Sequence, residues 1–317
     1  AKNPTTPKEV LIELSKDENE YVRASAIKNI DLTNEILTTL SKDKDENVRY
    51  GVALNNNIPI EALITLSKDK KANVRMNVAS NPNTPKEVLI KLSGNEDLTL
   101  KYYIAGNLST PINILKELSV NNNWEVRAAI AWNPSTPIDL LEILIKDEYY
   151  NVRRYATENI NLPIKNLEDL SKSEDENIRM GVALNPNTPL DILIKLSKDK
   201  NTWVKQNIID NPNTPIDILI KLSEDSEWEI RNEVARNFNT PIETLIKLSK
   251  DKDDYVKKNA IKTLEQKDKE LNIKIDNNKN TLEDLFKEKN IDPNSKIGLE
   301  LLKVYNDTQD KIKKELE

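Results

Sequence analysis

The sequence contains neither cysteine nor histidine among its 317 residues. Their absence excludes disulfides, thiol nucleophiles and imidazole bases, and it removes nearly all zinc, haem and iron–sulfur ligation. Glycine occurs only five times, so the chain cannot build a glycine-rich phosphate-binding loop. We therefore expect a protein without metal, cofactor or catalytic activity.

Long apolar runs are also missing, because no stretch reaches the 18 residues that would indicate a membrane-spanning helix. The N-terminus lacks the layout of a signal peptide, so we expect a cytoplasmic protein, although a leader removed ahead of Ala1 fits the same sequence. Charged residues make up 32% of the chain, but their near balance leaves a net charge of only −6. A general polyanion binder would need a basic surface, so nucleic acid is an unlikely partner.

What the sequence does contain is a repeat of 26 residues. Asparagine recurs at this spacing ten times without an insertion, at Asn3, Asn29, Asn55, Asn81, Asn107, Asn133, Asn159, Asn185, Asn211 and Asn237. We number each unit from this asparagine as position 1. Positions 9 and 12 are leucine in all ten units, and position 5 is proline in nine, with Thr33 as the exception. Such self-similarity is typical of repeat architectures.

Each unit contains signals for two short helices. The first is predicted to begin with a threonine N-cap, a proline at the first helical position and an acid two residues later, as in Thr84, Pro85 and Glu87. Position 15 is Asp in seven units and otherwise Asn or Ser, so we expect it to be the N-cap of the second helix. The second helix should end near position 26, where asparagine and often proline follow.

Position 21 carries a cation on the apolar arc of the second helix. It is Arg in seven units and Lys in three. A cation at the edge of a core needs apolar contact for its stem and a partner for its charge. We interpret positions 21 and 15 as an internal ladder of ion pairs between successive units. The alternative is a basic stripe that binds phosphate.

These residues resemble a known family. The string Asn-Pro-Asn-Thr-Pro, followed by Leu-Ile-Lys-Leu-Ser, Asp and Val-Arg-x-x-Val-Ala, resembles the leucine-rich repeat variant family over residues 3–262. The resemblance implies a curved helical solenoid related to HEAT and armadillo repeats. Some members of that family add a cysteine-ligated iron–sulfur cluster, which this chain cannot bind. The family unit is slightly shorter than 26 residues, so the curvature here should differ.

We therefore predict an all-α fold, a right-handed curved α-solenoid of ten 26-residue helix–turn–helix repeats over residues 3–262. Residues 263–280 are charged and rich in asparagine, which favours a linker. Residues 281–317 contain an amphipathic pattern and should form a C-terminal helical cap or a helix that binds a partner.

The outward face of the second helices, at positions 19, 22, 23 and 26, is predicted to line the concave surface. In repeats two to seven this face collects large apolar and aromatic side chains, which usually mark an interaction site. The candidate partner-binding residues are Tyr50, Leu54, Met76, Tyr102, Tyr103, Trp132, Tyr155, Met180 and Leu184. The structural alternative is that adjacent helices bury these side chains.

Three classes of function are compatible with the repeat. The first is a non-catalytic scaffold that binds a protein or peptide in an apolar, aromatic concave groove. The second is a HEAT-like solenoid that binds nucleic acid, although positions 22, 23 and 26 supply only five cations: Lys28, Arg154, Arg236, Lys258 and Lys262. The third is a HEAT-like DNA glycosylase that uses Glu158 beside Trp132. Glu158 is more readily explained as a solvated residue at a helix end.

Overall fold

The computed structural model describes residues 3, 6–27, 32–278 and 303, which form twenty helices and no strand. The helices follow one another in ten pairs, one pair for each sequence repeat. The first helices of the pairs are α1 (Lys8–Leu14), α3 (Asn34–Leu40), α5 (Ile60–Leu66), α7 (Lys86–Ser93), α9 (Ile112–Leu118), α11 (Ile138–Leu144), α13 (Ile164–Leu170), α15 (Leu190–Leu196), α17 (Ile216–Leu222) and α19 (Ile242–Leu248). The all-α repeat of paired helices is thereby confirmed, and its right-handed curvature stays a prediction.

The second helices are longer by a residue or two, and the last is much longer. They are α2 (Glu20–Ile27), α4 (Glu46–Ala53), α6 (Ala72–Ser80), α8 (Leu98–Gly106), α10 (Trp124–Trp132), α12 (Tyr150–Glu158), α14 (Glu176–Leu184), α16 (Thr202–Asp210), α18 (Trp228–Arg236) and α20 (Asp254–Asn278). Helix α20 continues through most of the segment expected to be a linker, because no proline or glycine interrupts residues 254–278. Apart from Lys303, the predicted cap at 281–317 lies outside the described residues.

The chain divides into two compact units, Ala1–Asn187 and Thr188–Glu317, which we call unit 1 and unit 2. Both have a core built from the same positions of the repeat. The position-9 leucine is at most 1% exposed in every repeat, and the position-24 side chain is fully buried in every repeat. Burial of this apolar stripe between paired helices is the main source of stability for helices this short.

The first helices begin one residue later than the sequence predicts. Proline at position 5 is the N-cap and makes no side-chain hydrogen bond, as at Pro85. The threonine before it was therefore wrongly predicted as the cap. Its hydroxyl donates instead to the end of the preceding second helix, as from Thr136 to the Ile130 carbonyl at 2.6 Å. This bond supplies a donor to one of the carbonyls that a helix C-terminus leaves unpaired.

The second helices also begin later than predicted, at position 18, with position 17 rather than position 15 as the N-cap. Asp97 and Asn123, both at position 17, accept hydrogen bonds from the first backbone N–H groups of α8 and α10. The position-15 side chain lies two residues earlier, and its oxygen accepts the backbone N–H of position 17, as from Asp45 to Asp43 at 2.8 Å. The second oxygen of the position-15 carboxylate thus stays available for another partner.

That partner is the cation at position 21 of the preceding repeat, so the predicted ladder is confirmed. Arg127 is bidentate to Asp147, with Nε and one terminal nitrogen 2.6 and 2.9 Å from the two carboxylate oxygens. Its other terminal nitrogen donates to the Asn121 carbonyl of its own repeat at 2.7 Å. The same pairing recurs in both units, as Arg23–Asp43, Arg49–Asp69, Lys205–Asp225 and Arg231–Asp251. These cations therefore hold successive repeats together, and the phosphate-stripe alternative is not supported.

Two consecutive rungs of the ladder lack their acid. Repeats four and five have Asn95 and Asn121 at position 15. The Nε atom of Arg75 is consequently buried without a hydrogen-bond partner. Lys101 instead approaches Glu96, which lies in its own repeat, at 3.5 Å.

The position-1 asparagines form a second connection between repeats. The Asn133 amide is fully buried and donates to the carbonyls of Ala105 at 2.7 Å and Asn107 at 3.0 Å. Asn107 and Asn159 make the equivalent pair of bonds to the repeats before them. At these repeats the asparagine therefore ends one helix and binds the backbone of the preceding repeat, which explains why a polar amide is retained at a buried position.

Candidate functional site

Unit 1 contains an open cleft of about 990 Å³ along the outward face of its central second helices. We call it the aromatic cleft. Its lining side chains come from α6, α8, α10 and α12 and from the residues that cap them. Five of them are aromatic: Tyr102, Tyr103, Trp124, Trp132 and Tyr155. The other lining residues are small or uncharged and polar, except for the apolar Leu98 and the negatively charged Glu125.

The helix period explains why these rings meet on one surface. Positions 22, 23 and 26 lie within one arc of a helix, and the stacked second helices place equivalent positions side by side. Tyr102 and Tyr103 contact each other edge to face, with ring centroids 5.5 Å apart. Trp132 at the end of α10 contacts Tyr155 of α12 in the same manner at 5.6 Å. Two aromatic pairs in edge-to-face contact therefore form part of the cleft wall.

The four central aromatic residues predicted from the sequence all line the cleft. Tyr102, Tyr103 and Trp132 are 44, 37 and 54% exposed, and Tyr155 is half-buried. The other five candidates lie on the outward face of their own second helices but do not line this cleft. Leu54 is exposed, and the remaining four are half-buried: Tyr50, Met76, Met180 and Leu184.

Sequence reasoning missed the contribution of position 18, which supplies Leu98 and Trp124 to the cleft. Position 18 is the first residue of α8 and α10, so it reaches the edge of the same face. Trp124 stacks on Tyr149, with ring centroids 5.9 Å apart and planes 14° from parallel. Arg127 lies over the Tyr149 ring at 5.4 Å. The aromatic residue at the start of α10 was the sequence signal that could have indicated this contribution. The sequence analysis also did not identify Glu125, which follows Trp124 in the chain.

The electrostatic character of the cleft depends on the positions and partners of the nearby lysine and arginine side chains. No lysine or arginine lines it. The position-21 cations of α10 and α12, Arg127 and Arg153, are instead paired with Asp147 and Asp175. Glu125 is exposed and is the charged side chain that lines the cleft. The cleft consequently combines aromatic and uncharged polar surface with one negative charge.

Glu158 is not the solvated helix-end residue that the sequence suggested. Its side chain is 10% exposed and lies 3.9 Å from the Arg154 Nε atom. That nitrogen and the Glu158 Oε2 atom are both buried without a hydrogen-bond partner. Burial raises the pKa of the Glu158 carboxyl, and the charge of Arg154 offsets this only in part. Glu158 does not line the aromatic cleft.

Among the described residues, no group of three or more Asp or Glu side chains is placed to hold a metal ion. No helix within the described ranges is long and apolar enough to cross a membrane.

No protein-family model and no curated protein matches the chain. Among solved structures, it is similar to a leucine-rich repeat variant with a novel repetitive structural motif, at 22% identity and a TM-score of 0.36, over 72% of this chain and 80% of the other. It is also similar to importin beta, at 11% identity and a TM-score of 0.29, over 81% of this chain and 39% of importin beta. Computationally designed armadillo repeat proteins for modular peptide recognition are similar at 14% identity and a TM-score of 0.15, over 82% of this chain and 99% of the design. Structures similar to this chain thus include a leucine-rich repeat variant and armadillo repeat proteins, the groups that its repeat motif resembles.

Proposed function

We propose that this protein is a non-catalytic scaffold that binds a protein or peptide segment in the aromatic cleft. The observation that supports this most directly is the set of large rings left exposed on the outward face of α8 and α10. A solvated helix face rarely collects tyrosine and tryptophan, and these residue types are enriched at the energetic centres of interfaces. The volume of about 990 Å³ is enough for several side chains of a bound segment.

Nucleic acid is the less favoured ligand, because its backbone requires cations in the groove. Two of the cations available on the outward face are already paired with acids on their own helices. Arg236 lies 3.1 Å from Glu233, and Arg154 faces Glu158. We expect weak, non-specific binding of duplex DNA at about 150 mM salt, measured by titration at several salt concentrations. Sub-micromolar affinity with a steep salt dependence would favour the nucleic-acid alternative.

The proposal is tested by selecting peptides from a phage-displayed random library against the full chain and measuring their dissociation constants. Trp132→Ala and Tyr102→Ala should each weaken binding by about thirtyfold, because truncation of a central aromatic residue typically costs 2 kcal/mol or more. The stability of both variants should change by no more than about 0.5 kcal/mol, as is usual for exposed positions.

Trp203→Ala is the matched control, since Trp203 is 63% exposed but belongs to unit 2. It should leave binding unchanged. If the selected peptides bind Trp132→Ala as well as the parent, the aromatic cleft is not their site. A loss of several kcal/mol in stability for both cleft variants would instead mean that the rings are core residues.

A further inference from the structure

We infer that the aromatic cleft recognises a weakly hydrated organic cation, an arginine or a methylated lysine side chain, carried by the bound segment. This inference rests on the proposed function and specifies the chemistry of its ligand. Five aromatic rings and the Glu125 carboxylate line one cleft, and this juxtaposition supports the inference. No lysine or arginine lines the same cleft.

Aromatic rings attract cations because the face of the ring carries the negative part of its quadrupole. Edge-to-face pairing orients the two rings of a pair at 77° for Tyr102–Tyr103 and 74° for Trp132–Tyr155. Within each pair the two ring planes are therefore nearly perpendicular, so the pairs offer ring faces in more than one direction. A flat stack of parallel rings, which would suit nucleobases, is not formed by these four residues.

Charge complementarity points in the same direction. Glu125 is exposed, follows Trp124 in the first turn of α10, and lines the same cleft as residues of α8. The nearby cation of the same helix, Arg127, is bidentate to Asp147 and does not neutralise the cleft. A ligand cation would therefore meet one carboxylate and several ring faces without a competing positive charge.

The type of cation follows from hydration. A lysine ammonium is a compact and strongly hydrated charge, whereas a guanidinium is planar and more weakly hydrated. Methylation keeps the lysine charge while replacing N–H donors by apolar surface, and aromatic sites are suited to such groups. The cleft offers much ring surface and a single carboxylate, so it should favour arginine and trimethyl-lysine over unmodified lysine.

Five acetylated, amidated peptides of sequence Ala-Leu-Xaa-Leu-Ala test this, with Xaa as trimethyl-lysine, arginine, lysine, norleucine or glutamate. Dissociation constants are measured by calorimetry with the full chain. The trimethyl-lysine and arginine peptides should bind about tenfold more tightly than the norleucine peptide. The lysine peptide should have an affinity between those of the arginine and norleucine peptides, and the glutamate peptide should bind most weakly.

Two variants assign the preference to the cleft. Glu125→Gln should weaken the two favoured peptides about threefold and leave the norleucine peptide unchanged. Tyr102→Leu should reduce the same preference while retaining an apolar contact. Glu229→Gln is the matched control, because Glu229 has the same repeat position in unit 2.

Equal affinity for the cationic and norleucine peptides would overturn the inference and leave the scaffold proposal standing, provided that Trp132→Ala still weakens binding. Binding by none of the five peptides would also overturn it. The scaffold proposal is decided separately by the library selection, which makes no assumption about charge.

Discussion

At the residue scale, Gly181 lies where α14 closely approaches α12 in unit 1. A Cβ atom added there would lie 2.6 Å from the Arg154 carbonyl oxygen and 2.7 Å from the Thr157 Cβ atom. The first of these is a backbone atom of α12, which cannot rotate away. Glycine at this position therefore lets α14 pack directly against the backbone of α12.

We expect Gly181→Ala to destabilise unit 1 by about 1–3 kcal/mol, the usual range for an overpacked site. Gly106→Ala is the control, because no atom lies within 4 Å of its added Cβ. That variant should be neutral or more stable by about 0.5–1 kcal/mol through its better helix propensity. Urea denaturation of both variants measures the difference, and equal stabilities would show that α12 and α14 can separate at little cost.

Glu158 gives a prediction that depends on pH. Its raised folded pKa means that the native state binds the proton more tightly than the unfolded chain. Its contribution to stability is therefore present below the unfolded pKa and is lost as pH rises through the folded value. Glu158→Gln, which imitates the protonated form, should match the parent near pH 4 and be more stable near pH 7.

The free energies of unfolding at the two pH values provide the measurement. Glu117→Gln, at an exposed carboxylate of α9, serves as the control and should show no such change between them. A Glu158→Gln variant that is less stable than the parent at pH 7 would mean that the ion pair with Arg154 outweighs the burial of the carboxylate.

At the scale of the helix and its connections, sequence patterns correctly predicted the number and type of elements. The predicted helix starts were wrong, because both helices of a repeat begin later in the chain than the patterns indicated. A threonine, a proline and an acid two residues after the proline match the capping pattern of a helix start. Thr136 nevertheless donates its hydroxyl to the preceding helix and does not cap the following one. The competing carbonyl lies only six residues earlier, at the end of the preceding helix, so both interactions are local and the pattern alone does not choose between them. Similarly, the 26-residue spacing located the asparagines without indicating that Asn133 bonds to Ala105, 28 residues earlier.

The incomplete ladder supplies a prediction at this scale. Asn95→Asp should provide the acid that Arg75 lacks and satisfy its buried Nε atom. We expect a gain of about 1 kcal/mol in unfolding free energy at pH 7, in the range of a hydrogen bond that involves a charged group. Asn57→Asp adds the same charge at an exposed position and controls for net charge. An unchanged stability for Asn95→Asp would show that Arg75 is already satisfied by water.

At the scale of the whole molecule, the repeat predicted the core and most of the ladder, because most units supply the same residue types in the same register. The candidate site depends on departures from the consensus. Tyr102, Tyr103 and Trp132 replace smaller or different residues in single repeats, and their position on the outward face was predictable from the helix period. The residues that join them in the cleft were not predictable, because the boundary of the cleft depends on how α6, α8, α10 and α12 pack together.

The ladder also predicts how the molecule responds to acid. Burial alone would raise the pKa of Asp43, Asp69 and Asp147, but hydrogen bonds from their arginines and from backbone N–H groups bring each pKa below its ordinary value of 3.8. The hydrogen bond from Arg231 is the main reason why the pKa of Asp251 in unit 2 is also lowered. Both units therefore contain carboxylates that the native state keeps ionised.

A lowered folded pKa means that the unfolded chain binds protons more readily than the native one, so stability is present above the unfolded pKa and is lost as pH falls through the folded value. We expect the free energy of unfolding to fall steeply between about pH 4 and pH 2.

Asp147→Asn removes the acid from one rung of the ladder, where repeats four and five naturally have Asn95 and Asn121. This variant should be less stable than the parent by about 2–4 kcal/mol at pH 7, because it leaves Arg127 buried without its acid. The difference should shrink as both proteins are acidified, since protonation removes the same charge from the parent. A difference that stays constant from pH 7 to pH 3 would mean that the charge of Asp147 is not what stabilises the repeat, because asparagine at this position keeps the backbone hydrogen bond, as Asn95 and Asn121 do.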